Sequence, residues 1–124
     1  MALSMQLLDR LLRSLFWAAL VFAYAAAVMP ARLAPALSTW DKANHMAAFL
    51  TLTVLLALGW RRVRLYRVAL WLAAFGAAIE FSQGIPFVHR DASFGDWFAD
   101  CAAILVGLGV AALLRPLMER HSEA

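Results

Sequence analysis

The sequence predicts an all-α, polytopic membrane protein whose four transmembrane helices form a compact bundle. Hydrophobic residues make up 65% of the 124-residue chain and charged residues only 15%, whereas soluble domains are nearer half apolar and a quarter charged. A core of this size cannot bury so much apolar surface, because small folds leave much of their surface outside. We therefore expect lipid to solvate the rest of a single domain that spans residues 1–124.

The first helix is predicted over about residues 11–29. Its apolar run follows Arg13 and ends before Pro30, which cannot continue a helix. Three alanines at 25–27 resemble the cleavage site of a signal peptide, but the run matches the three later apolar runs in length. We therefore expect the helix to be retained.

The second and third helices are predicted over about residues 41–60 and 65–83. The second apolar run stops where Arg61 and Arg62 begin, and the third breaks at Gly84. Each run is close to the roughly 20 residues that a membrane crossing needs once a turn of flanking sequence is included.

The fourth helix is predicted over about residues 95–114. Its apolar run ends at Arg115 and Pro116, a pair that favours a helix end. The polar tail from Met118 onwards is expected to fray.

The basic residues are distributed unevenly between the two ends of the predicted helices. Of the 11 Lys and Arg residues, all but Arg32, Lys42 and Arg90 fall on one side. Loops rich in Lys and Arg stay in the cytoplasm, so we predict that both termini and the arginine-rich loop 61–67 face it. Topology and anionic lipids explain these arginines, and no nucleic-acid partner is expected.

Polar residues gather at the opposite, outer-facing ends of three helices. They form pairs three or four positions apart, so the members of each pair share a helix face. The pairs are Asp41 with His45, Glu80 with Gln83, and Asp96 with Asp100, and Lys42 and Arg90 accompany them. Acidic residues contribute little to membrane orientation, so topology does not account for them. We predict that these side chains converge on one site.

Small residues follow the same faces into the bilayer. They are Ala103, Gly107 and Ala111 after Asp100, and Ala69, Ala73 and Gly76 or Ala77 before Glu80. Small residues at four-residue intervals let membrane helices approach closely. We therefore expect the third and fourth helices to pack along these two stripes.

The order and spacing of the polar residues resemble the VanZ-like family of small bacterial membrane proteins. Asp41-Lys42-x-x-His45 opens one hydrophobic helix and Glu80-x-x-Gln83 closes the next, and Arg90 and Asp96 precede the last apolar run. The resemblance covers about residues 40–110. The chain departs from the family at Asp100 and Ala103, where the family usually has Asn and Gly, and the extra acid favours a bound cation or a protonated carboxyl group.

The resemblance implies a cell-envelope protein of the bacterial inner membrane, in a family whose founding member is linked to resistance to the lipoglycopeptide teicoplanin. It names no reaction. We expect a lipid-linked or lipidated small molecule to bind at the outer cluster while the helices hold its acyl chain. The expected ligand-binding residues are Asp41, Lys42, Gln83, Arg90 and Asp96. The protein can act as a monomer or an oligomer.

A membrane-embedded hydrolase or transferase is the alternative function. His45, Glu80 and Asp100 are then the candidate catalytic residues, because an imidazole and carboxylates can act as general base and acid. Arg90 can hold a phosphate in bidentate fashion, so lipid-linked envelope intermediates and phospholipid headgroups are the matching substrates. The sequence lacks a known nucleophile motif, which leaves open whether any reaction is catalysed.

Cofactors and transport are less favoured by the sequence. His45, Glu80, Asp96 and Asp100 have the ligand types that Zn²⁺ or Mn²⁺ accepts, but no HExxH motif or Cys/His cluster accompanies them. We therefore expect no cofactor, with a divalent metal as the open alternative. A channel or transporter would need an oligomer, because the ionisable groups within the spans fill only the outer half.

A purely structural network is the remaining interpretation of the cluster. Lys42 and Arg90 would pair with the acids, and Asp41 and Asp96 suit the positive end of a helix dipole. Glu80 does not fit this account, because an acid near a helix C-terminus opposes the dipole and needs a specific partner.

Overall fold

In the residues that it describes, the structure, a computed structural model, has four α-helices: α1 (Ala2–Val28), α2 (Asp41–Gly59), α3 (Leu65–Gln83) and α4 (Phe94–Glu123). The structure describes residues 2–29, 41–83 and 94–123, without the side chains of residues 2, 3, 41, 42, 94, 96 and 121–123. These ranges contain no strand. The predicted all-α bundle is confirmed.

The helices have the length and composition of membrane spans. Three of them contain segments long and apolar enough to cross a membrane: Ser4–Val28, Leu65–Gln83 and Trp97–Arg120. The apolar segment of α2, Ala43–Gly59, is shorter. Large apolar side chains cover the outside of the bundle, and Trp71 and Phe81 are 75% and 80% exposed. Such a surface is typical of a protein that lipid solvates, so the chain is a membrane protein.

The first and last helices are longer than the sequence predicts, whereas α3 has its predicted bounds. Helix α1 already begins at Ala2, because no Gly or Pro interrupts the chain before Pro30. The added turns are anchored by Asp9, whose Oδ1 accepts a hydrogen bond from Nη1 of Arg61 over 2.6 Å.

Helix α4 continues through Pro116 to Glu123 instead of ending near residue 114 and fraying from Met118. A proline inside a helix removes one backbone hydrogen bond. Arg115 holds this turn against α2, since its Nε donates to the carbonyl of Ala57 over 3.0 Å and its Nη2 to that of Trp60 over 3.4 Å. This tether explains why the helix persists past the proline.

Helix α2 is the centre of the bundle, with its most extensive contacts to α4 and then to α1. A Cβ atom built on Gly107 of α4 would lie 2.6 Å from Cβ of Thr53, so the backbone of α4 touches α2 there. The small residues Ala103 and Ala111 of the same stripe are also buried. The expectation that this stripe packs on α3 is therefore wrong at Gly107, because the stripe faces α2 at that point.

Arginines complete the end of α2. The last carbonyls of a helix lack intrahelical donors, and cations are favoured beside them. Arginine side chains donate to three of them: Arg13 to Gly59 over 2.7 Å, Arg61 to Leu58 over 3.0 Å and Arg115 to Ala57 over 3.0 Å. We call this the arginine end of the bundle.

Candidate functional site

Among the described residues, three polar side chains from three helices meet at the opposite end of the bundle. Helices α2 and α4 begin at this end and α3 finishes there, which places His45, Glu80 and Asp100 at the same level. We call it the carboxylate end. The antiparallel order of the three helices therefore brings together residues that are far apart in the sequence.

The three side chains meet closely. His Nδ1 or Nε2 and one carboxylate oxygen from each acid all lie within 4.8 Å of one another. The distance from His45 Nδ1 to Asp100 Oδ1 is 3.6 Å. Asp100 is fully buried and His45 is 9% exposed, while Glu80 is half-buried. The structure thus brings together the three residues that the sequence nominates as catalytic.

The carboxylate of Asp100 packs directly against the backbone of α3. A Cβ atom on Gly76 would lie 3.3 Å from Asp100 Oδ2 and 3.3 Å from Cζ of Phe49. Nearby, Nε1 of Trp97 donates to the carbonyl of Ala73 over 3.1 Å. The sequence pattern predicts only that Gly76 is a small packing residue. Its contact with Asp100 joins two helices, so only the folded structure shows it.

Gln83 joins α3 to α1 at this end. Its side chain is buried, and its Nε2 donates to the carbonyl of Ala27 over 2.9 Å. Its Oε1 is also buried, and no hydrogen-bond donor in the described parts of the chain reaches it. Tyr24 and Ser82 form a second link between α1 and α3, with 2.9 Å between their hydroxyl oxygens. Gln83 therefore has a packing role in addition to its predicted ligand-binding role.

The other predicted site residues fall outside what the structure describes. Arg90 lies outside the described ranges, and the side chains of Asp41, Lys42 and Asp96 belong to the undescribed set. The described cluster consequently comprises the three predicted catalytic residues, with Gln83 in the last turn of α3.

The chemistry available at the cluster follows from its two carboxyl groups and one imidazole. A charged side chain within a membrane span costs about 2.5–3.5 kcal/mol at the helix centre, so such groups usually face the bundle interior or a water-filled cavity and pair with other polar groups. Carboxylates accept hydrogen bonds from hydroxyl, amide or ammonium groups, and an imidazole can donate or accept a proton. All three groups can also ligate a divalent metal.

A groove that the sequence pattern does not predict lies at the arginine end. It has a volume of about 620 Å³ and is lined by Asp9, Arg13, Gly59, Trp60, Arg61, Arg62, Val63 and Glu119. The guanidinium of Arg13 lies 5.3 Å from the ring centroid of Trp60. Arg61 forms an ion pair with Asp9, so part of the positive charge of the groove is neutralised within the bundle.

Comparison with known proteins adds no relative. No protein-family model matches the chain, and no curated protein or solved structure shows significant similarity to it. The resemblance to the VanZ-like family stays a prediction from the polar residues of the chain.

Proposed function

We propose that this chain is a VanZ-like protein of the bacterial inner membrane that binds the polar head of a lipid-linked or lipidated molecule at the carboxylate end. The observation that carries the proposal is the convergence of His45, Glu80 and Asp100 from three helices. An apolar core would pack these helices without the cost of placing two acids in an apolar bundle. Binding a polar group gives those acids a role.

The surface beside the cluster suits the apolar part of such a ligand. Phe81 follows Glu80 directly, Phe98 lies two positions before Asp100, and both side chains are exposed on the outside of the bundle. A polar head can therefore reach the cluster while its acyl or polyprenyl chain stays in the bilayer. The carboxylates would accept hydrogen bonds from sugar hydroxyls or peptide N–H groups of the head.

Photo-crosslinking in lipid nanodiscs tests the proposal. The probe is a polyprenyl-diphosphate-linked sugar with a diazirine on the sugar, and labelled positions are mapped by mass spectrometry. We expect labels on α2, α3 and α4 around His45, Glu80 and Asp100. Glu80→Gln and Asp100→Asn should each reduce labelling by about tenfold or more, because a hydrogen bond to a charged group is worth about 1.5–3 kcal/mol.

Glu119→Gln is the matched control, since it makes the same chemical change at the arginine end, where Glu119 lines the groove. It should label like the wild type. Labelling confined to the arginine end, or unaffected by both carboxylate-end variants, would contradict the proposal.

The link to glycopeptide resistance is tested in cells. Expression in a teicoplanin-susceptible bacterium should raise the inhibitory concentration of teicoplanin, and Glu80→Gln should abolish that increase at equal protein level. Deacylated teicoplanin is the control, because the proposal assigns recognition to a lipidated molecule. If the wild-type protein leaves the inhibitory concentration of teicoplanin unchanged, the proposed role in glycopeptide resistance is contradicted.

A membrane-embedded hydrolase or transferase is the second candidate function. It is favoured by the nearness of His45 Nδ1 to Asp100 Oδ1, which lie 3.6 Å apart. A shift of about 0.5 Å would bring them within hydrogen-bond reach, so that the carboxylate could orient an imidazole base. The test is conversion of a radiolabelled lipid-linked sugar or phospholipid by the reconstituted protein. His45→Gln should abolish conversion, and the absence of any product with the wild-type protein would contradict an enzymatic role.

A further inference from the structure

We propose that His45, Glu80 and Asp100 together bind one divalent transition-metal cation, with Zn²⁺ as the best match. The inference concerns the proposed lipid-head site and rests on that proposed function, which it deepens by naming what mediates recognition. The three side chains would be the protein ligands of the metal, and the lipid head would supply a further ligand.

The donor set favours zinc over the hard cations. The cluster offers one imidazole nitrogen and two carboxylate oxygens. Mg²⁺ and Ca²⁺ take six or more ligands that are all oxygen, whereas Zn²⁺ accepts mixed nitrogen and oxygen ligands. Zinc sites that act on substrates use three protein ligands and leave the fourth position for water or substrate. Three ligands from three helices reproduce that pattern.

The distances are those of a site that needs little rearrangement. With Zn–N and Zn–O bonds of about 2.0–2.2 Å, neighbouring ligand atoms in a tetrahedral site lie about 3.3–3.6 Å apart. His45 Nδ1 and Asp100 Oδ1 are already 3.6 Å apart. Glu80 completes a group whose atoms lie within 4.8 Å of one another, and its half-buried side chain can close the difference by rotation.

Burial and charge point the same way. Asp100 is fully buried and its Oδ2 packs beside Gly76, so it cannot turn to solvent. Two carboxylates held this close repel each other more strongly in an apolar bundle than in water. Metal coordination is one of the ways in which proteins satisfy buried charges. A single divalent cation neutralises both acids at once.

The metal also resolves a difficulty in the proposed function. A pair of carboxylates alone disfavours an anionic head, and lipid-linked envelope intermediates carry phosphate. A cation bound by the three side chains would accept a phosphate or carboxylate oxygen in its open position. The ligand class is therefore a lipid whose head presents an anionic oxygen.

Zinc binding to the full-length protein in detergent micelles tests the inference directly. The protein is stripped with a chelator, titrated with Zn²⁺ alone, and its metal content is measured by mass spectrometry after dialysis. We expect one Zn²⁺ per chain. His45→Gln, Glu80→Gln and Asp100→Asn should each weaken binding by more than about 100-fold, since the loss of a second-shell partner alone costs up to that factor.

His121→Gln and Glu119→Gln are the matched controls, because they make the same changes near the other end of α4. Both should bind Zn²⁺ like the wild type. Binding that survives in all three cluster variants, or a wild-type protein that retains no zinc, would overturn the inference.

X-ray absorption of the zinc-loaded wild-type protein keeps the inference testable if a variant fails to fold. The expected spectrum shows nitrogen and oxygen ligands at about 2.0–2.2 Å, with scattering from one imidazole. A sulfur ligand at about 2.3 Å, which Cys101 is the only cysteine able to provide, would overturn the assignment.

Crosslinking of the sugar probe with metal-free and zinc-loaded protein separates this inference from the proposed function. Zinc bound by His45, Glu80 and Asp100 without labelling at the carboxylate end would support the metal site and refute lipid-head binding. Labelling at the carboxylate end that zinc does not change, in a protein whose three cluster residues bind no zinc, would support lipid-head binding and refute the metal site. Labelling that depends on zinc supports both.

Discussion

Gly76 shows how closely one residue controls the carboxylate end. The absence of a side chain there lets Asp100 Oδ2 and the ring of Phe49 approach the backbone of α3. Any side chain at this position would occupy the space beside the carboxylate. The position of the Asp100 carboxylate therefore depends on a glycine in the neighbouring helix α3.

Gly76→Ala should lower both stability and ligand binding. Its Cβ would lie 3.3 Å from Asp100 Oδ2 and Phe49 Cζ and 3.4 Å from Trp97 Cδ1. These neighbours must give way by a few tenths of an ångström, and because Asp100 and Phe49 are buried, we expect the cost of overpacking, about 1–3 kcal/mol. Unfolding in mixed micelles measures the stability and Zn²⁺ titration measures the displaced carboxylate.

Gly109→Ala is the control, because nothing lies within 4 Å of its Cβ position. It should leave binding unchanged and raise stability by up to about 1 kcal/mol through helix propensity. Equal behaviour of the two variants would show that Asp100 is not held by Gly76.

The sequence predicts the site at this scale only as far as helix periodicity carries it. Spacing of three or four residues places His45, Glu80 and Asp100 near helix ends at one level, and the structure brings these three together. The sequence does not predict the hydrogen-bond partner of Gln83, because that partner is the backbone carbonyl of Ala27, and every residue has such a carbonyl.

At the scale of the helices, the most extensive contact among the described residues joins α2 to α4. Gly107 lies against Thr53, whose hydroxyl is itself fixed by donating to the carbonyl of Phe49 over 2.6 Å. Periodicity identified the stripe that includes Gly107 but not the helix it would face, because a small-residue face fits more than one neighbour. The sequence predicts an end of α4 just before Arg115 and Pro116, which is too early. The hydrogen bond from Arg115 to α2 is a tertiary contact that the sequence pattern does not reveal.

Gly107→Ala should destabilise the bundle by about 3 kcal/mol. The new Cβ would lie 2.6 and 2.7 Å from Cβ and Cγ2 of Thr53, so the helices must separate, at the upper end of the cost of overpacking. The double variant Gly107→Ala/Thr53→Gly should recover part of the loss, because it moves the space to the facing helix. Additive losses in this double-mutant cycle would show that the two residues are not in contact.

At the scale of the whole molecule, the apolar exterior and the uneven charge define how the bundle should lie in a membrane. The composition predicted this character from the sequence, because 65% hydrophobic residues exceed what a small core can bury. Arginines at the arginine end also donate hydrogen bonds to the last carbonyls of α2.

Reporter fusions at the C-terminus should place that end in the cytoplasm of a bacterial cell. A fluorescent protein that folds only in the cytoplasm should be bright, and alkaline phosphatase, which is active only outside, should be inactive. Replacing the exposed Arg62, Arg64 and Arg67 by Gln should weaken this preference, because Lys and Arg set orientation. An active phosphatase fusion of the wild-type chain would place the carboxylate end on the cytoplasmic side.

The most direct test of the functional account is the unfolding free energy of Glu80→Gln in metal-free micelles, with Glu119→Gln as control. The change keeps the shape of the side chain and removes only its charge. If Glu80 is held beside Asp100 to bind a ligand, stability should stay the same or rise, because removing one of two adjacent charges relieves repulsion. If Glu80 is instead one half of a buried structural ion pair, the variant should lose about 3–5 kcal/mol, and that result would contradict the account.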